Sequence, residues 1–293
     1  MNHLETDKVS VVIPAYNAAR TLRTTLESVI AQSYKNTEII VVDDGSSDGT
    51  EDTIKDLISA ARVIYIRQEN SGVAVARNTG LKASTGDYVA LLDSDDLLHK
   101  DKVSRQVSYM KGNDLGFSFT GIVDLYKSGR EVLRGPRKLS GSDLKDDILK
   151  ETIIVTSTVM VRRDVLKSVG LFDENFIFCE DWDWFFRIVM NSKTGWIEDF
   201  LTTKRNTSGS LTERYSPKYK CYMQLYRKHE ISLDEARLKK FRSAIGNKCY
   251  TDAVKHVRSH NLKFGSMAFL YAVRMRHVIL FRLPKLFTEY LHK

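Results

Sequence analysis

Three short acidic groups in this sequence have the residue types and spacing for chemistry. The first closes an apolar run: Tyr88 to Leu92 is followed at once by Asp93, Ser94, Asp95 and Asp96. Like charges this close repel one another, and burying them is costly without a compensating cation. Carboxylates two residues apart at a strand end can point toward one hard cation, Mg²⁺ or Mn²⁺, whose shell substrate phosphates complete. The alternative is a solvated turn. Asp96 precedes Leu97-Leu98-His99-Lys100 and is expected to cap a helix. The second group, Asp43-Asp44-Gly45-Ser46, ends another apolar run, Ile39 to Val42. Alone it is a common turn. Together with Asp95 it suits a nucleotide, one carboxylate accepting from a base N–H while the other set clamps the phosphate-bound metal. The third group, Glu180-Asp181, leads into Trp182-Asp183-Trp184-Phe185-Phe186. It can act as a general base on a hydroxyl nucleophile, or simply cap a helix N-terminus.

The elements that must position these groups follow from apolar periodicity. Val9 to Tyr16 is a β-branched run expected to be a buried strand that Pro14 stops. Leu22, Leu26, Val29 and Ile30 recur at helical spacing, so a helix is expected over Thr21 to Gln32. A helix is expected from Asp52 to Ala61, a strand at Arg62 to Ile66, and a loop entering a helix over Ser71 to Ser84. Strand and helix alternate over the first 95 residues, which argues for a parallel α/β sheet. In such sheets ligands bind beyond the carboxyl ends of the strands, and two of these strands end there in acids. Residues 97–149 are mixed in pattern. The run Thr152 to Arg163 is expected to be a further strand. Val169 to Val189 is expected to hold a turn and an amphipathic helix with Trp184, Phe185 and Ile188 inward. A polar, glycine-containing loop follows at Lys204 to Pro217, and the pattern beyond is helical.

The chain has 293 residues, enough for one large α/β domain and an appendage. Its net charge of +8 is uneven: residues 216–293 hold 17 Lys and Arg against 5 Asp and Glu. A basic tail suits phosphate-rich partners, either nucleic acid or an anionic membrane face. Cys179, Cys221 and Cys249 form no C-x-x-C pair, so neither a disulfide framework nor a zinc site is expected. The first ten residues lack the apolar core of a signal peptide. No run reaches the roughly 18 apolar residues of a spanning helix. A cytoplasmic setting is the expectation. There is no G-x-x-x-x-G-K-[ST] and no G-x-G-x-x-G, so Walker and Rossmann fingerprints are absent.

Four segments, VSVVIPAYNA, VVDDGSSDGT, ARNTGLKASTGDYVALLDSDD and VGLFDENF followed by EDWDW, occur in this order and spacing. Together they resemble the family 2 glycosyltransferases over about residues 8 to 210. The resemblance implies an α/β fold of the GT-A type: a Rossmann-like, mostly parallel sheet flanked by helices, here with a helical C-terminal extension. It implies an inverting transfer from a nucleotide-diphosphate sugar, commonly UDP-linked, with Mn²⁺ or Mg²⁺. By the same resemblance Pro14, Ala15 and Tyr16 line the base pocket, with Tyr16 packing on the uracil. Asp44 accepts from the base N–H and Asp43 supports the turn. Asp93 lies near the ribose, and Asp95 binds the metal bridging the phosphates. Asp181 is the catalytic base, with Glu180 beside it. Arg205 and the Asn206 to Ser210 loop resemble the segment that closes over the donor. Arg77 sits near the base or diphosphate; its alternative role is a salt bridge to Asp43 or Asp93. The processive Q-x-x-R-W motif is missing, so one sugar per visit is expected. Residues 1–215 are expected to form the catalytic domain and 216–293 a basic helical region that binds a membrane surface or the acceptor. The expected acceptor is a glycan or lipid-linked oligosaccharide in cell-surface polysaccharide synthesis.

Rival classes fit less well. A metal-dependent nucleotidyltransferase wants a Gly-rich, cationic loop after the first strand, where this chain has PAYNAARTL. A nucleic-acid binder would use the basic tail through phosphates, yet no such motif is present and the acidic groups lie elsewhere. No nucleic-acid partner is expected. His256 and His260 share a helical spacing, but two ligands do not make a metal site, and a solvated face is expected. Met267 to Leu291 mixes aromatic and aliphatic residues with Arg274, Arg276, Arg282 and Lys285. It is expected to lie on an anionic membrane surface, peripheral to the inner face of the cell membrane.

Overall fold

The computed structural model describes residues 7–135, 144–150, 154–206, 218–258 and 262–275. Two compact units divide the chain. The first carries nine strands: β1 Val9–Ala15, β2 Thr37–Asp43, β3 Ile64–Arg67, β4 Tyr88–Leu91, β5 Leu97–Leu98, β6 Phe117–Tyr126, β7 Glu131–Arg134, β8 Met160–Arg162 and β9 Thr194–Asn206. With them come helices α1 Leu22–Ile30, α2 Lys55–Ser59, α3 Val73–Ala83, α4 Lys102–Gly112, α6 Arg163–Val169 and α7 Glu180–Asn191. The short α5, Leu144–Asp147, lies at the join. The second unit holds residues 145–150 and 176–179 with helices α8 Tyr219–His229, α9 Glu235–Arg258 and α10 Leu262–Met275. No sequence signal marked those two inserted segments.

One sheet runs in the order β3-β2-β1-β4-β8-β6-β9-β5, with β7 paired to β6. The first four strands are parallel, β1 pairing β2 and β4, and β2 pairing β3. The strands from β8 onward are mixed: β8 is antiparallel to both β4 and β6, and β9 is parallel to β6. These directions bring the carboxyl ends of β1, β2, β4, β6 and β9 to one edge of the sheet. The start of β8 lies at that edge too. β1, β2 and β4 are buried along their cores, Val9, Val11, Val12, Ile13, Ile40 to Val42 and Val89 to Leu91 among them. Such near-continuous apolar runs, broken in β1 only by Ser10, are what a parallel sheet covered on both faces requires.

Several boundaries differ from expectation. β1 does not stop at Pro14 but continues to Ala15, with Pro14 opposite Val42. Val12 turns its carbonyl to β4, accepting from Leu92 N–H, and Pro14 faces the same way two residues on. β4 has ended there, so the missing proline N–H leaves no ladder bond unmade. The expected strand over 152–163 shrinks to β8, because Thr156–Thr158 forms a 3₁₀ turn. The helix expected at 52–61 is a 3₁₀ turn, Asp52–Ile54, followed by α2. Asp96 caps no helix: β5 follows it, and α4 begins only at Lys102.

Packing between α3 and the sheet depends on Gly80. A Cβ there would come 2.3 Å from a Val12 methyl and 3.3 Å from Val42. Gly80→Ala should therefore lower stability by about 1–3 kcal/mol, read as a lower urea midpoint with unchanged slope. At the start of α4, Lys102 is fully buried, its amine 3.4 Å from the Val159 carbonyl. Burial pulls it from 10.5 down to about 7. Folding thus favours the neutral amine, and the penalty is full below pH 7 and fades toward pH 10.5. Lys102→Met should melt at a higher temperature than wild type at pH 7, with the difference shrinking by pH 9.5.

No helix among the described residues is long and apolar enough to cross a membrane. Cys179, Cys221 and Cys249 are all buried. In the second unit, His256 is buried with Nε2 3.7 Å from Asp252, not on a solvated face as expected. His260, residues 207–217 and residues 276–293 lie outside the described residues. So do most of the expected donor-closing loop and much of the expected membrane segment.

Candidate active site

The site grows from the shared edge of β1, β2 and β4. Tyr16 follows the central strand with its ring half exposed, while Pro14 and Ala15 are buried in β1. An exposed aromatic face beside acidic strand ends suits stacking on a planar base. β2 ends in Asp43 and passes to Asp44 and Gly45. Asp43 is fully buried and accepts from Ser46 N–H at 2.8 Å and from the Tyr65 hydroxyl. It supports the turn, as expected. Burial, then this bond, push the Tyr65 hydroxyl above its ordinary value. Gly45 takes a φ of 78°, and a Cβ there would come 2.9 Å from Asn70 N. Asp44 accepts from Gln68 Nε2 at 2.8 Å, Ser71 N at 2.9 Å and Gly72 N at 2.8 Å. A carboxylate has about four acceptor positions, so Asp44 braces the loop before α3 and keeps capacity for one further donor.

After β4, Asp93 and Asp95 are partly exposed while Asp96 is 1% exposed. Asp96 accepts from the Ser157 hydroxyl at 2.6 Å and from Arg205 N–H at 3.2 Å. Burial, with the charges of Asp93 and Asp95, pushes its carboxyl up to about 8. Arg77 on α3 is 4% exposed and bridges two acids, Asp93 at 3.0 Å and Glu180 at 2.8 Å. Of its two open roles the ion pair with Asp93 is formed, not one with Asp43, and the link to Glu180 was not anticipated. Its guanidinium also stands 5.4 Å from the Phe172 ring centroid. Asn78, next on α3, clasps the Phe172 backbone through both its N–H and carbonyl.

α7 opens with Glu180-Asp181, just after Cys179, whose φ of 70° is strained for a residue with a side chain. Trp182, Trp184, Phe185, Phe186, Ile188 and Val189 are buried along α7, a wider apolar face than expected. Its indole Trp184 Nε1–H bonds the Gly170 carbonyl at 3.0 Å, and Arg187 donates to the Val169 and Leu171 carbonyls. The helix start is thereby fixed against the loop before it. Glu180 is held up at about 7 by burial and by Asp181, against the pull of Arg77. Burial also raises Asp181; Arg77 opposes this and Asp93 adds to it. Acids with perturbed titration gathered at the strand ends are candidates for a functional site.

Arg205, near the end of β9, does not stand free over this edge. Its guanidinium donates to the Asp95 carbonyl, to Thr24 Oγ1 at 2.7 Å, to Thr25 Oγ1 at 2.9 Å and to the Thr21 carbonyl at 3.2 Å. The arginine expected to close over the donor here joins a bond network around the acidic turn. Ser157 was missed altogether. Its segment, Val155 to Met160, reads as a strand, and only the three successive hydroxyls Thr156-Ser157-Thr158 hint at a turn.

No cluster of three His, Cys, Asp or Glu side chains able to hold a metal exists among the described residues. A self-sufficient cage is thus not what these residues build. One or two carboxylates at an open strand end fit a hard cation that shares its shell with substrate phosphates. Asp95 is partly exposed on this turn, and Asp93 pairs with Arg77 at 3.0 Å.

Comparison with known proteins agrees with this geometry. The family described as "Glycosyl transferase family 2" matches residues 10–170, a span that includes the first two acidic groups and stops short of Glu180-Asp181. A putative teichuronic acid biosynthesis glycosyltransferase, TuaG of Bacillus subtilis, is 41% identical over 162 residues, covering 53% of this chain and 62% of that protein. An uncharacterized glycosyltransferase of Rickettsia felis is 33% identical over 216 residues, covering 74% of this chain and 36% of that one. The matches thus span less than two thirds of the length of these relatives. Among solved structures, residues 1–349 of TarS from S. aureus with UDP-GlcNAc superimpose with a TM-score of 0.68 at 18% identity, covering 89% of this chain and 90% of that one. The mannosyltransferase PcManGT of Pyrobaculum calidifontis, in complex with GDP-Man and Mn²⁺, gives 0.65 at 18% identity, covering 98% and 81%. These likenesses show the GT-A fold. With that fold, and a family match over more than half its length, the chain belongs to glycosyl transferase family 2.

Proposed function

We propose that this chain is a metal-dependent, inverting transferase. It moves one hexosyl or N-acetylhexosaminyl unit from a nucleotide-diphosphate sugar, taken here as UDP-linked, to a hydroxyl of a glycan or lipid-linked oligosaccharide in cell-surface polysaccharide synthesis. The observation that carries this reading is the linkage of acids at one sheet edge: Asp93 joined through Arg77 to Glu180, beside Asp181. In this reading Pro14, Ala15 and Tyr16 receive the base, and Asp44 accepts its N–H. Asp93 lies by the ribose and Asp95 faces the diphosphate. A divalent ion, Mn²⁺ or Mg²⁺, would be held by Asp95 and supply Lewis-acid stabilisation of the leaving diphosphate. Asp181 removes the acceptor hydroxyl proton as that oxygen attacks the anomeric carbon from the opposite side. Arg77 pairs with Glu180 and Asp93, and Asp181 is the acid proposed to take the proton. One displacement needs no enzyme nucleophile. Neighbours solved with UDP-GlcNAc and with GDP-Man support a nucleotide-sugar donor. The basic C-terminal region is proposed to meet an anionic inner membrane face.

A nucleotide-release assay with UDP-GlcNAc, UDP-glucose and GDP-mannose, each with Mn²⁺ and a lipid-linked glycan acceptor, tests the reading. Acceptor-stimulated release from one donor is expected. Release from none, at enzyme concentrations well above those of ordinary assays, would argue against transfer.

A further inference from the structure

The four-residue acidic turn Asp93 to Asp96 is held at every residue by groups from elsewhere in the first unit. Asp93 N–H donates to Ser157 Oγ at 3.1 Å. The Ser94 carbonyl accepts from Thr25 Oγ1 on α1 at 3.0 Å. The Asp95 carbonyl accepts from Arg205 Nε. The Asp96 carboxylate accepts from the Ser157 hydroxyl on one oxygen and from Arg205 N–H on the other. Ser157 is fully buried, and its own carbonyl is tied at 3.2 Å to Thr202 Oγ1 on β9. Three elements far apart in sequence, α1, the 3₁₀ turn before β8 and the end of β9, thus converge on one turn. Ser157 acts twice: its oxygen receives the turn's first N–H while its proton goes to the turn's last carboxylate.

A turn of three acids tends to spread under its own repulsion, yet a hard cation is selective about donor placement. We propose that Ser157, Asp96 and Arg205 are positioning residues that set Asp93 and Asp95 for metal and diphosphate, and that none of the three touches the reacting atoms. This rests on the reading that Asp95 holds the metal. Ser157 and Asp96 stand behind the turn, buried. The Arg205 fork bonds α1 and the Asp95 backbone, and its charge lies near Asp95 and Asp96. Partners of this outer kind typically change metal affinity by about 10–100-fold when removed.

The test is Mn²⁺ titrated into the full chain holding saturating UDP, with free Mn²⁺ read by its electron paramagnetic resonance signal, well below the melting temperature of each variant. Ser157→Ala and Arg205→Gln are expected to weaken Mn²⁺ binding by about 10-fold or more. Arg205→Lys, which keeps one donor for the Asp95 carbonyl, should recover part of the loss. Asp95→Ala is the control and should remove the site. A merely structural role would lower melting temperatures and leave the Mn²⁺ affinity of the folded variants within about twofold of wild type, given the larger change expected for true outer partners. That result, with Asp95→Ala still losing the metal, overturns this inference alone. Wild-type Mn²⁺ binding in Asp95→Ala would overturn the metal reading and this inference with it.

Discussion

Asp181→Asn is expected to lower turnover by a factor of about 10² or more, the scale of a lost general base, while donor binding persists. The amide keeps the size of the carboxylate and its place at the start of α7, so the loss isolates proton acceptance. The local electrostatics add a pH signature. Burial raises Asp181 above its ordinary value, and Glu180 beside it is pushed up to about 7. Groups coupled this closely titrate as a pair. A base works only when ionised, so turnover should climb as pH rises, with the limb displaced upward from about pH 4, where an isolated carboxylate titrates. Steady-state rates from pH 4.5 to 8.5 check both points. Wild-type turnover in Asp181→Asn would remove Asp181 from the mechanism, and a rate already at its plateau at pH 4.5 would contradict the upward shift.

Asp95→Ala should abolish metal-dependent donor binding and, with it, transfer. The turn itself should survive. Its backbone is held by Ser157, Thr25 and Arg205, and the Asp95 contact to Arg205 runs through the carbonyl, which alanine retains. Removing one carboxylate from an acidic turn also relieves repulsion on buried Asp96, whose raised value owes part of its shift to Asp95. Thermal melting should therefore show a folded protein near neutral pH. An inactive variant that is also unfolded would leave a different signature, a lost melting transition. UDP affinity unchanged by Mn²⁺ in both wild type and variant would count against the metal role.

The strands that build the site edge were legible because their burial is extreme. Val9 to Ile13, broken only by buried Ser10, and Ile39 to Val42 and Tyr88 to Leu92 are apolar runs, and the last two end where acids begin. The acids themselves stood out because two strands end in acidic groups and a third acidic pair opens a helix. What failed was local geometry that depends on distant partners. Pro14 looks like a strand stop until β4 is seen to end before it. Thr156-Ser157-Thr158 sits inside an apolar, β-branched run, and period alone cannot separate a strand from a hydroxyl-rich turn. Asp96 looks like a cap because Lys102 starts a helix soon after, whereas its partners Ser157 and Arg205 lie 61 and 109 residues away. The Arg77 to Glu180 pair spans 103 residues. Such pairings are set by strand order, which a single sequence does not encode in any local pattern.

The central claim is that the acids at this edge form a metal-dependent nucleotide site. Titration calorimetry of UDP and of GDP into the full chain, once with Mn²⁺ and once with EDTA, tests it most directly. Binding of one nucleotide that needs Mn²⁺ and disappears in Asp95→Ala is the predicted result. No binding of either nucleotide in either condition, or binding indifferent to both EDTA and Asp95, would contradict the account.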